Sequence, residues 1–329
     1  MTATHATRSA PRRSAYLDDA QRIAVAAERA RPLWRGAWPT WLLIVVIHAG
    51  WFGTLALWHA IGPVAGTVLM IWWCAWYMSL QHELIHGHPT RRPWLNALFG
   101  TLPLAVWYPY RLYRDSHLRH HDDFHLTVPE RDTESWYVSQ AAWAQMGPLR
   151  RRLHWFNKTF CGRLLVGPAL AVSATWLDAV RRPLRGEWRD VPMWLGHLAM
   201  LGALLWWIER HCGVSAVYFL LAISYPAQSL AMVRSFYEHR PAAHHKERIV
   251  LNEAEAVLRL LFLNNNLHLV HHDLPSLPWY LLPRVYRARR ADYLARNGGF
   301  HVDGYGDLLR RHGWRAIDAP FHPHVPEAR

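Results

Sequence analysis

Between Arg35 and Glu83 the chain carries no Asp, Glu, Lys or Arg. A helix of a soluble protein usually ends within about 20 residues. A membrane span needs about 20 apolar residues, and this stretch is long enough for two. Gly62-Pro63 lies near its middle and reverses the chain. Two more uncharged runs flank Glu209-Arg210 and read as a second hairpin. The expected spans are residues 41–60, 64–81, 192–208 and 214–233. Two apolar stretches are too short to cross: 94–107 is expected to be re-entrant or interfacial, and 164–177 to lie on the membrane surface. Residues 1–37 form a polar start with an amphipathic helix expected over 17–30. A helix over 255–267 should lead into the last histidine cluster, with Pro275 and Pro278 stopping regular structure after it.

A formal charge of +13 invites a nucleic-acid reading, but its distribution argues for a membrane. Arginines gather in the N-terminal segment and in the polar loops (Arg91, Arg92, Arg111, Arg114, Arg150 to Arg152), while the reversals near Gly62 and Glu209 carry almost none. That asymmetry follows the positive-inside rule and puts both termini in the cytoplasm. The 3 cysteines form no CxxC pair, so neither a disulfide framework nor an iron–sulfur site is expected. No secretory signal is visible, because the apolar run begins too late. Trp38, Trp41, Trp206 and Trp207 suit an aromatic belt, and Trp72, Trp73 and Trp76 suit a belt or packing.

Of the 23 histidines, eight stand in three clusters: His82 and His86; His117, His120 and His121; His268, His271 and His272. Spacings of three and four residues place side chains on one face of a helix, so each cluster can present its imidazoles to a common point. Imidazole is the commonest metal ligand, and eight are too many for one four-coordinate zinc. Two metals are expected, on the cytoplasmic side. His82-Glu83-Leu84-Ile85-His86 also satisfies the HExxH pattern of zinc proteases, but that reading leaves six clustered histidines without a role. A metal transporter would place ionisable residues near mid-membrane, and these spans carry hardly any.

The three boxes, their order and their placement after span hairpins resemble the membrane-bound fatty-acid desaturase superfamily over about residues 40–285. Asn264-Asn265-Asn266 before His268, and Asp273-Leu274-Pro275 after His272, resemble its third box and flank. The resemblance implies an all-α integral membrane protein with about four transmembrane helices in two hairpins, and a cytoplasmic helical cap holding a di-metal histidine site. The catalytic unit is expected over 38–290, between cytoplasmic segments 1–37 and 291–329.

By the same resemblance His239, which follows the last span, is a ninth ligand. Glu83, Asn265 and Glu238 are candidates for the shell around the ligands, and no catalytic residue is expected beyond the ligands themselves. Glu83 stands where many acyl desaturases have aspartate, and glutamate is also found there in alkane hydroxylases. The implied chemistry is non-haem di-iron oxidation with O2 as co-substrate, acting on a lipid or fatty-acyl chain that arrives from the bilayer. Electrons would come from a separate ferredoxin, rubredoxin or cytochrome with its reductase. Fatty-acid desaturation is the leading reading. Hydroxylation, carotenoid ketolation or hydroxylation, and decarboxylation to a terminal alkene occur in the same superfamily.

Overall fold

The computed structural model describes residues 14–122 and 124–323. Among the described residues five helices are long and apolar enough to cross a membrane: α1 (Trp38–Ala56), α2 (Pro63–Ile85), α3 (Phe160–Leu184), α4 (Val191–Cys212) and α5 (Ala216–Tyr237). Prolines near the starts of α1 and α2 sit where a helix needs no N–H donor. Gly213 closes α4 in the left-handed region, φ +67.

Four of these helices match the expected spans, and α3 is longer than the apolar stretch expected over 164–177. Its apolar stretch looked too short because Arg163 and Asp178 bracket it. The helix runs through both charges. Thr159 caps its start by accepting from Gly162 N, and Arg181 and Arg182 occupy the last turn, where cations are favoured. The stretch 94–107 forms a short helix, Pro93–Gly100, followed by a loop. The Tyr77 hydroxyl donates to the carbonyls of Phe99 and Leu102 at 2.9 and 2.8 Å, which ties this segment to the middle of α2.

The core is built by α1, α2 and α5. Ile47 and Trp51 pack with Met70 and Tyr77, and Phe219 meets the Trp51 ring edge-on. Trp73 lies against Gly50 so closely that a Cβ there would sit 2.5 Å from its ring, and its indole donates to Thr54 Oγ1. Packing, then, is the role of Trp73. Outward faces keep large apolar side chains exposed, as Val45, Val68, Leu165, Leu195 and Leu221 do, which is what helices facing lipid require. The two reversals meet each other: a Cβ on Gly213 would lie 2.7 Å from the His59 ring, and Trp58 contacts Tyr218.

At the opposite end the histidine-bearing segments gather. The N-terminal helix is Asp19–Ala30, capped by Asp18, and its Gln21 amide donates to the Tyr293 hydroxyl. The helix expected over 255–267 is shorter, Ala256–Leu261. The chain then turns through Leu263 and Asn264, both at positive φ, before the helix His268–Asp273. Two short strands, Leu251–Asn252 and His301–Val302, pair in parallel. Beyond them residues 313–322 run back across the body, with Ile317 N bonded to the Lys158 carbonyl and Val138 N to that of Pro320.

Candidate metal centre

Four elements deliver nine imidazoles to one place. His82 ends α2 and His86 caps it, the helix Tyr110–Asp122 carries the second cluster, and the helix His268–Asp273 carries the third. His239 follows α5, held by its backbone against Ile249. They form two groups: His82, His86, His117, His121 and His271 in one, and His120, His239, His268 and His272 in the other. All nine residues singled out as ligand candidates are present, and no described histidine outside them joins either group.

The clusters do not each serve one point, as helical spacing alone suggested. In the second cluster His117 and His121, four apart, face the first group, while His120 turns to the second. In the third cluster His268 and His272 face the second group and His271 turns to the first. The two triplets therefore cross over. The rings of His121 and His272 stack between the groups with centroids 4.2 Å apart.

The nitrogens meet at short and regular distances. Nε2 of His117 lies 3.0 Å from that of His86 and 3.1 Å from that of His121, which is 3.0 Å from that of His271. In the second group His120–His239, His239–His268 and His268–His272 are each 3.1 Å apart. Metal–imidazole bonds of about 2.1 Å put nitrogens about 3.0 Å apart across a right angle and about 3.4 Å apart across a tetrahedral one. The spacing fits right-angled coordination.

Hydrogen bonds on the far side of the rings settle which nitrogens point inward. His117 Nδ1 donates to Glu134 Oε1 at 2.9 Å, His120 Nδ1 to Asp132 Oδ1 at 2.7 Å, and His239 Nδ1 to the Arg248 carbonyl at 3.2 Å. With Nδ1 holding the proton, neutral rings aim bare Nε2 lone pairs at one another, as His239 and His268 do. Such pairs repel unless a cation sits among them. Carboxylates behind ligating histidines also raise ligand basicity and fix ring orientation.

The electrostatics favour a cation other than the proton. Burial keeps His86, His121, His268, His271 and His272 well below the ordinary imidazole range, and pushes His239 down to about 3. His120 differs. Burial opposes its charge, but Glu134 and Asp132 outweigh it and hold the ring up to about 9. Glu134 itself is held well below the usual carboxylate range, because His117 and His120 outweigh its burial.

Asn265 meets both groups, its amide lying 3.4 Å from His82 Nε2 and 3.3 Å from His268 Nδ1. Glu238 pairs with Arg234 at 2.9 Å and lies 3.6 Å from His268 Nδ1. Glu83 accepts from the Trp279 backbone N–H at 3.3 Å, not from an imidazole among the described residues. Sequence reasoning missed Asp132 and Glu134. A carboxylate pair in Asp132-Thr133-Glu134, a dozen residues past the second cluster, was the available signal.

A cavity of about 500 Å³ opens beside the histidines. His82, His239, Asn265 and Glu134 lie at one wall, and Met78, Ala105, Leu170, Ala171 and Ala174 line an apolar part.

The fatty acid desaturase family model matches residues 58–304, most of the chain and all nine histidines. The chain belongs to the fatty acid desaturase family. A search of curated proteins returns no match. Membership makes the protein a membrane-associated oxidoreductase of lipid chemistry, and the paired histidine groups are the metal-binding feature of this family member.

Proposed function

We propose that the protein is a di-iron, O2-dependent desaturase of a fatty-acyl chain. The observation that carries this reading is the convergence of nine imidazoles, eight of them with Nε2 atoms that face one another, beside a cavity with an apolar wall. His82, His86, His117, His121 and His271 hold one iron, and His120, His239, His268 and His272 the other. Neither set fills six positions, which leaves room at both for small ligands. Bound there, the iron pair supplies the O2-derived oxidant that removes hydrogen from an unactivated C–H bond. Asp132, Glu134 and the Arg248 carbonyl keep the Nδ1 protons outward, and Asn265 spans the two groups. The apolar wall excludes water and aligns the chain.

Glu83 bonded to Trp279 N disfavours the zinc-protease reading, in which the glutamate faces the metal. Electrons come from a separate ferredoxin, rubredoxin or cytochrome, since the described cysteines Cys74, Cys161 and Cys212 are unpaired and scattered.

The histidine side faces the cytoplasm, by the excess of arginine there. Four helices cross and α3 lies along that face. The contacts support this. Gly213 at the end of α4 touches His59 at the far reversal, so α4 starts on the histidine side. Helix α3 starts beside Phe236 and ends next to the start of α4, where Arg182 pairs with Asp190. Both of its ends therefore share one side.

Expression with a reductase and its electron carrier, followed by mass spectrometry of lipids, free acids and headspace alkenes, tests the reaction. The expected result is a new double bond in fatty-acyl chains, absent from His271→Ala. Products that are alcohols or terminal alkenes instead would replace desaturation with the corresponding reaction.

A further inference from the structure

The cavity wall carries a further charge besides the histidines and their carboxylates. Arg163 lies in the first turn of α3 and is 1% exposed. Its Nε reaches the Asn157 carbonyl at 3.4 Å, and its Nη1 has no hydrogen-bond partner. The guanidinium is stacked 3.8 Å over Trp136 and lines the cavity. Aromatic faces attract a cation but supply no acceptor for its N–H groups.

Charges elsewhere along the wall are matched. Asp318 pairs with Lys158 at 2.9 Å and accepts from the Tyr137 hydroxyl. Glu238 pairs with Arg234, while Asp132 and Glu134 hold His120 and His117. Among the described residues no carboxylate forms an ion pair with Arg163. The start of a helix is also the end that disfavours a cation and favours an anion. Asp318 and Glu238 are near enough to favour its charge, but burial outweighs them, and a buried guanidinium with Nη1 unbonded is costly unless a ligand brings an acceptor and negative charge.

We propose that Arg163 forms an anion subsite for the head group of a single-chain amphiphile, a carboxylate or a phosphate, whose tail lies along α3. From Arg163 to Thr175, which line the same cavity, the helix rise of about 1.5 Å per residue gives a length of about 18 Å. Leu170, Ala171 and Ala174 supply the apolar wall of that length. Trp136 follows Glu134 by two residues and Phe236 precedes His239 by three, so the subsite adjoins the histidines rather than the cavity's apolar end. The subsite selects chains with an anionic head over uncharged hydrocarbons, esters and alcohols. This inference rests on the cavity being a lipid site, as proposed above, but not on which reaction occurs there.

The test is titration calorimetry on the full chain in an uncharged detergent with dodecanoate, dodecyl phosphate, dodecanol and methyl dodecanoate. One anion should bind about ten- to a hundredfold tighter than the alcohol and ester, the range of a charge-assisted hydrogen bond. Preference for dodecanoate points to free acids, and preference for dodecyl phosphate to a phospholipid head. Arg163→Gln should remove the preference and leave alcohol binding unchanged, and Arg163→Lys should keep part of it. Should Arg163→Gln fail to fold, the wild-type comparison of acid with ester decides. Equal binding of all four ligands, or an anion preference that survives Arg163→Gln, overturns the subsite. Anion preference in a protein that binds no iron would sink the proposed reaction and leave the subsite standing.

Discussion

Asp132 accepts a 2.7 Å hydrogen bond from His120 Nδ1, and both side chains are buried. Glu134 stands in the same relation to His117, in the other group. One short segment therefore steers one imidazole toward each metal position. Loss of such a partner typically weakens metal binding about ten- to a hundredfold. Asp132→Asn should release metal held by the group of His120, and Glu134→Gln metal held by the group of His117. Metal per chain after graded chelation measures this. Identical release profiles for the two variants would refute the division into groups.

The candidate ligands were legible in the sequence because metal sites need particular residue types at helical spacings. Their sorting was not. Whether His120 joins His117 or crosses to His239 depends on how the helix Tyr110–Asp122 is rotated, a property of tertiary packing. Asp132 and Glu134 look like loop carboxylates until the chain folds the loop behind the rings. The core spans followed from uncharged runs. The full length of helix α3 was not legible, because Arg163 and Asp178 mark the ends of its apolar stretch and not the ends of the helix. Asp318 sits in the C-terminal segment, outside the catalytic unit expected over 38–290, and only its return path past Lys158 places it at the cavity.

Acid should empty the site. His121, His271 and His272 have pKa values pushed well below 6.5 by burial. Above pH 6.5 these rings are neutral in both folded and unfolded chains. Below it the unfolded chain takes up protons that the folded chain refuses, so stability falls as pH drops. His120 runs the other way: held at about 9, its contribution is full below 6.5 and fades as pH rises through 9. It is one ring against many. Metal content and thermal midpoint should both decline from pH 7 to pH 5, and a flat metal content over that range would contradict neutral imidazole ligation.

The packing of α1 on α2 can be probed at two glycines of one helix. A side chain at Gly50 would collide with the Trp73 ring, whereas nothing lies within 4 Å of a Cβ at Gly53. Gly50→Leu should cost about 1–3 kcal/mol by overpacking. Gly53→Leu should leave the thermal midpoint in detergent nearly unchanged. Equal losses would show that the α1–α2 contact is not as close as described.

Topology is open to cysteine labelling from either face of oriented vesicles. With α3 along the histidine side, cysteines at Glu187 and Arg111 should react from the same side, and one at Gly62 from the other. Reaction of positions 187 and 62 from one side would mean that α3 crosses.

Two metals held by two sets of imidazoles is the central claim, and iron per chain tests it most directly. Protein purified near pH 7.5 and analysed by mass spectrometry of its metals should hold about two irons, matching the two histidine groups. His271→Ala and His239→Ala, one from each group, should each fall well below that value. A single zinc in the wild type, or unchanged iron in both variants, would contradict the account.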